Sequence, residues 1–186
     1  MTDIRRVVTG HDENGKSIFV SDEKVTGTNI PSLPSTEIVH LWGADVCHRY
    51  PDDGSAQVYE KFFAPVGGYR FLMFSVPPDA TNVAPAEANV AAEMETTFPG
   101  LAETFDPESP GMHRSVTIDL LHVVEGRCIC ELDSGQTREL SADDTFAQSG
   151  TMHAWRNPFN ETCKIIAVIV GAELDRKKAG LASVAL

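Results

Sequence analysis

His113 and Asp119 sit in the stretch of the chain richest in possible chemistry, Gly111-Met112-His113-Arg114-Ser115-Val116-Thr117-Ile118-Asp119. In an extended strand, successive side chains point to opposite faces. His113, Ser115, Thr117 and Asp119 then share one face, and His122, of opposite parity, leaves it. A neutral imidazole and an ionised carboxylate on one face suit a borderline divalent cation. Burying both in an apolar interior is costly unless something pairs them. The same spacing also describes an ordinary polar strand face, and the stretch alone does not separate the two readings.

A second stretch, Asp143 to Asn157, contains Gln148-Ser149-Gly150-Thr151-Met152-His153-Ala154-Trp155-Arg156-Asn157. It resembles the second motif of the cupin superfamily, in which Gly, five residues, Pro, one, Gly, two, His, three, Asn follow in order. Gly150, His153 and Asn157 fall in register, whereas Ala142 and Gln148 replace the first Gly and the Pro. The first cupin motif is His, one, His, three or four, Glu, six, Gly. His113, Asp119 and Gly126 fall in its register, with Ser115 in place of the second His and Asp119 in place of the Glu.

The resemblance covers residues 111–157 and looks like a subgroup of small bacterial and fungal cupins. It implies an all-β, single-domain cupin barrel (a jelly roll, or double-stranded β-helix) enclosing one divalent cation: iron, zinc, manganese or nickel. His113, Asp119 and His153 are the implied metal ligands, and His113 and His153 the implied catalytic groups. A set of two histidines and one carboxylate leaves coordination positions open to water, substrate or dioxygen. Ser115, Trp155, Gln148 and His40 are candidates for the pocket wall. The superfamily holds dioxygenases, decarboxylases, isomerases and sugar epimerases. The expected function is accordingly a metal-dependent decarboxylase or dioxygenase acting on a small aromatic or oxo-acid metabolite. The alternatives are a non-enzymatic ligand-binding cupin and a metal-independent isomerase or epimerase using histidine as acid or base. Family resemblance also implies a homodimer.

The elements that would position these residues are mostly strands. Arg6–Thr9 and Ser17–Val20 flank an Asn14-Gly15 turn signal. Extended runs follow at Glu37–Trp42, Val58–Phe63 and Tyr69–Val76, where His40 and Trp42 would share a strand side. Ala84–Thr97 is rich in Ala and Glu and reads as a helix. From Ser115 onward a meander of short strands is expected: Ser115–Glu125, Arg127–Asp133, Thr137–Leu140, Thr145–Gln148, His153–Asn157 and Lys164–Ala172. The chain thus divides into an N-terminal β extension (1–76) that is part of the same fold, a helix and loop insertion (77–111) that would serve as a lid, the core motifs (112–172) and a tail (173–186), read as a short helix or frayed end.

Composition narrows the functional classes. The chain has 186 residues, 42% of them hydrophobic and 23% charged, enough to bury one core without staples. Fifteen Lys and Arg stand against 27 Asp and Glu, a formal net charge of −12. Such a surface repels phosphate backbones and anionic membranes, so neither nucleic acid nor membrane is an expected partner and a small molecule is. The N-terminus lacks the apolar stretch of a secretory signal, and a cytoplasmic location is expected. The four cysteines, Cys47, Cys128, Cys130 and Cys163, match no zinc spacing and read as buried free thiols. Arg70 and Arg114 read as surface ion-pair partners, and Asn157 as a strand-end residue. No nucleophile elbow, phosphate loop or dinucleotide fingerprint is present.

Overall fold

The computed structural model describes residues 3–175. Eleven strands are found within them, all paired antiparallel. In chain order they are β1 (Asp3–His11), β2 (Ser17–Thr26), β3 (Thr28–Ile30), β4 (Leu33–Ala44), β5 (Tyr69–Val76), β6 (Thr117–Glu125), β7 (Arg127–Leu132), β8 (Thr137–Ser141), β9 (Thr145–Ser149), β10 (His153–Arg156) and β11 (Cys163–Gly171). One helix, α1, spans Val90–Thr97. Strands β3-β4-β5-β11-β6-β9 form a six-stranded sheet, β10-β7-β8 a three-stranded one, and β1-β2 a separate hairpin. Among the described residues no helix is long and apolar enough to cross a membrane.

Alternation explains how the two larger sheets meet. On β11 the residues Cys163, Ile165, Ala167 and Ile169 are buried while their neighbours are less so. On β6 the same parity buries Thr117, Asp119, Leu121 and Val123 and leaves His122 on the outer side. These inner rows join Cys128 and Cys130 of β7 and Leu140 of β8 in one apolar cluster between the sheets. Two polar residues, Thr117 and Asp119, therefore enter the interior at one end of an otherwise apolar row.

The β1-β2 hairpin lies on the outer face of the large sheet. Ile4 and Val25 pack there against Val39, Leu41 and Met73, and Arg6 donates to the Leu41 carbonyl at 2.8 Å. Its turn uses positive φ at Gly15 but not at Asn14. Asp12 instead accepts from the backbone N–H groups of Asn14 and Lys16, so Asp12, not Asn14, organises the reversal.

Three expectations are corrected. Val58–Phe63 forms no strand. The carbonyls of Lys61 and Phe62 accept from the Arg70 guanidinium at 2.9 and 3.1 Å, and the Phe62 N–H donates to Pro99 O at 2.8 Å, leaving no ladder to join. The helix begins at Val90 rather than Ala84, because Asn89 caps it by accepting from the Ala92 N–H. Arg70 is wholly buried, not a surface residue. It also donates to Ala44 O, Tyr69 O and Asp45 Oδ1 and lies over the Tyr59 ring at 3.8 Å. One guanidinium thus fastens the long 45–68 connection to the sheet.

The thiols of Cys128, Cys130 and Cys163 are free and buried, as expected, whereas Cys47 is exposed. Of the tail, residues 176–186 lie outside the described part of the chain.

Candidate functional site

A cavity of about 600 Å³ opens between the sheets beneath the 77–111 segment, within the range that holds a small organic ligand. Its wall is apolar over most of its area, with Ile38, Leu72 and Phe74 from β4 and β5, and Met94, Leu101 and Phe105 from the insertion. His113, Asp119, Gln148 and His153 make a polar corner in that wall.

Backbone hydrogen bonds set the two histidines side by side. His113 N–H donates to His153 O at 2.8 Å and His153 N–H to His113 O at 3.0 Å, a single antiparallel bridge between β10 and the segment preceding β6. His113 is thus tied to the smaller sheet rather than forming part of β6. The strand starts at Thr117, two residues later than expected. The imidazole centroids lie 4.2 Å apart with their planes at 51°, and Phe105 stacks on His113 at 4.7 Å.

Each ring is fixed through the same atom. His113 Nδ1 lies 3.0 Å from Gly111 O and His153 Nδ1 lies 3.0 Å from Thr151 O. A carbonyl only accepts, so His113 Nδ1 carries the proton and its Nε2 holds a lone pair, whereas His153 is held between the Thr151 carbonyl and the Gln148 amide. Burial lowers both pKa values, that of His153 to about 4 with help from neighbouring His113. Both imidazoles are neutral at pH 7.

Gln148 and Asp119 face each other across the β6-β9 ladder. The Gln148 amide nitrogen lies 2.6 Å from His153 Nδ1 and 3.0 Å from its Nε2, while Gln148 Oε1 is buried with no hydrogen-bond partner. Ser115 donates to Thr117 Oγ1 at 2.6 Å, and Thr117 donates to Asp119 Oδ1 at 2.6 Å. Desolvation raises the Asp119 carboxyl to about 6, against the pull of the Thr117 hydrogen bond. A carboxyl with that pKa can both take and return a proton near neutral pH.

Among the described residues, no three His, Cys, Asp or Glu side chains stand together closely enough to hold a metal ion. Asp119 shares the cavity with the imidazoles without joining them in such a group, and its carboxylate is engaged by Thr117. The inward nitrogen of His153 is met by Gln148. The residues present do not fit the expected three-ligand set.

Other candidates divide. Trp155 lines the cavity, 5.6 Å from the His153 ring. Ser115 does not line it and reaches Asp119 only through Thr117. His40 also lies outside the lining, packed against Phe62 and Phe98 with Nδ1 3.1 Å from the Tyr59 hydroxyl. His40 and Trp42 were expected on one side, but a bulge between them breaks that parity, and Trp42 lies beneath Arg6 of the hairpin. Asn157 is structural, its side chain donating to Val76 O and Glu161 O. Sequence reading passed over Thr117 as the link to Asp119, although its parity already placed it on the inner face. It had no signal for Phe105, which reaches His113 from the insertion.

No protein-family model matches the chain. Phomopsin biosynthesis cluster protein D from Diaporthe leptostromiformis is 46% identical over 162 residues, covering 82% of this chain and 69% of that protein. The cupin-domain-containing oxidoreductase fogC from Aspergillus ruber is 28% identical over 166 residues, covering 82% of this chain and 63% of that protein. Oryzines biosynthesis cluster protein J from Aspergillus oryzae is 43% identical over 49 residues, a segment spanning only 27% of that protein's length. Among solved structures, the polyketide cyclase RemF from Streptomyces resistomycificus aligns with a TM-score of 0.43 at 16% identity, covering 81% of this chain and 82% of that one. This chain belongs to the same family as phomopsin biosynthesis cluster protein D, and its antiparallel sheets and two motif regions carry the likeness to cupin-domain proteins.

Proposed function

We propose that this cupin is an enzyme that holds one small, largely apolar aromatic molecule in its cavity and moves a proton at the molecule's polar end. Asp119 is the acid–base group, neutral His113 orients the reacting atoms as a hydrogen-bond acceptor, and His153 holds the Gln148 amide beside it. The observation that supports this reading is a buried carboxyl, raised to about 6, on the wall of an apolar cavity beside two neutral imidazoles. Ser115 and Thr117 hold that carboxyl in place and stabilise its ionised form. Isomerisation or cyclisation through an enol is the reaction class that uses such a base.

The test is hydrogen–deuterium exchange. Hydroxyaryl ketones with acidic α-hydrogens are incubated with the protein in deuterated buffer and followed by NMR. Exchange that depends on Asp119 and falls at least about a hundredfold in Asp119→Asn supports the reading. Ligand binding without any exchange would instead make the protein a binding module.

The anchoring of both Nδ1 atoms favours a second reading, since backbone-anchored imidazoles are a common way of orienting metal ligands. A divalent cation held by His113, and by His153 once Gln148 is turned away from it, would supply Lewis-acid or dioxygen chemistry to a decarboxylase or dioxygenase. Elemental analysis of the purified protein separates the two. One equivalent of metal, lost in a folded His153→Ala variant, favours the second reading; exchange activity that survives chelation favours the first.

A further inference from the structure

Among the described residues, the free polar groups of His113, Gln148 and Asp119 in the corner of the cavity are acceptors. His113 Nε2 has a lone pair because its Nδ1 proton is given to Gly111 O. Gln148 Oε1 has no partner, its amide nitrogen being turned to His153. Asp119 Oδ1 already accepts from Thr117, and as a carboxylate the group has further acceptor capacity. Among the described residues no lysine lines the cavity, and the arginine that does, Arg156, is paired through Nε with Glu131 at 2.7 Å.

We infer that the ligand's polar end is a neutral hydroxyl donor, a phenol or enol, received by the acceptor set of Gln148, His113 and Asp119, and that the corner discriminates against carboxylates. The inference rests on the proposed aromatic ligand and deepens it, and it sets aside an oxo-acid substrate. The physical reason is asymmetric. A hydroxyl entering the corner supplies the hydrogen that an unpaired buried acceptor lacks, whereas a carboxylate adds acceptors to acceptors and loses its hydration without compensation. A methyl ether of the same shape buries the same apolar surface but donates nothing.

Three probes test this on the full-length protein with a chelator present: a naphthol, its methyl ether and the corresponding naphthoate, titrated calorimetrically near neutral pH. The naphthol should bind about ten- to a hundredfold more tightly than the ether or the naphthoate, the range expected for hydrogen bonds to buried acceptors. Gln148→Leu should narrow the naphthol-to-ether ratio while leaving ether affinity within about threefold of wild type, so the ether reports that the variant's cavity is intact. If that variant does not fold, Gln148→Met and Asp119→Asn are read in the same way. Equal affinity for naphthol and ether, or tighter binding of the naphthoate, overturns the hydroxyl inference and leaves the aromatic cavity standing. Failure of all three probes to bind overturns the aromatic-ligand reading itself.

Discussion

Asp119 and the buried histidines pull stability in opposite directions as pH changes. The folded Asp119 carboxyl titrates near 6 against 3.8 in the unfolded chain. Its contribution is therefore full below the unfolded value and lost as pH rises through about 6. His40 and His153 are lowered to about 4, largely by burial. Their contribution is present above 6.5 and lost as pH falls through about 4, and His113, also lowered, adds to the same side. Net stability thus rises with pH across this window. Asp119→Asn removes the opposing group, so urea denaturation across the window should show a steeper rise and a gain of roughly 2–3 kcal/mol above pH 7. An unchanged slope would mean that the carboxyl is not desolvated. Arg70 makes a second case at this scale. Arg70→Met strips donors from the carbonyls of Ala44, Lys61, Phe62 and Tyr69 and unpairs Asp45. A loss of about 3–5 kcal/mol is expected by chemical denaturation.

Among the elements, the 77–111 insertion does the most to define the cavity, since Met94, Leu101 and Phe105 close one side of it. Its helix has eight residues and an Asn89 cap, and a helix this short depends on capping and packing more than on propensity. Asn89→Ala should cost about 1 kcal/mol in thermal unfolding, and it should loosen naphthol binding if α1 holds the cavity wall. Unaltered binding alongside the stability loss would show that the helix only decorates the surface. Most of the later strands were legible from alternation and turn residues, because β6, β7 and β11 alternate buried and exposed residues and the short strands between them are bounded by turns. Val58–Phe63 was not. It has the β-branched and aromatic composition of a strand, yet its carbonyls are taken by a distant arginine, and no local pattern announces that.

Over the whole molecule, one core between two sheets carries the fold while the hairpin and its tip contribute little burial. Ile165 is fully buried in the apolar cluster, whereas Phe19 is 78% exposed. Ile165→Ala should therefore lose about 2–5 kcal/mol by denaturant unfolding, and Phe19→Ser less than about 0.5 kcal/mol. Comparable losses would place the hairpin within the cooperative core. From the linear chain alone came the all-β class, the two motif regions and the inner parity of Asp119 on its strand, since each depends on periodicity and short-range spacing. Tertiary structure alone decided that His113 bridges to His153, that Gln148 stands between His153 and Asp119, and that the carboxylate stays apart from the imidazole pair. His153 comes from the smaller sheet and Gln148 and Asp119 from the larger, and cross-sheet distances are fixed by how the layers close, which no spacing along the backbone encodes.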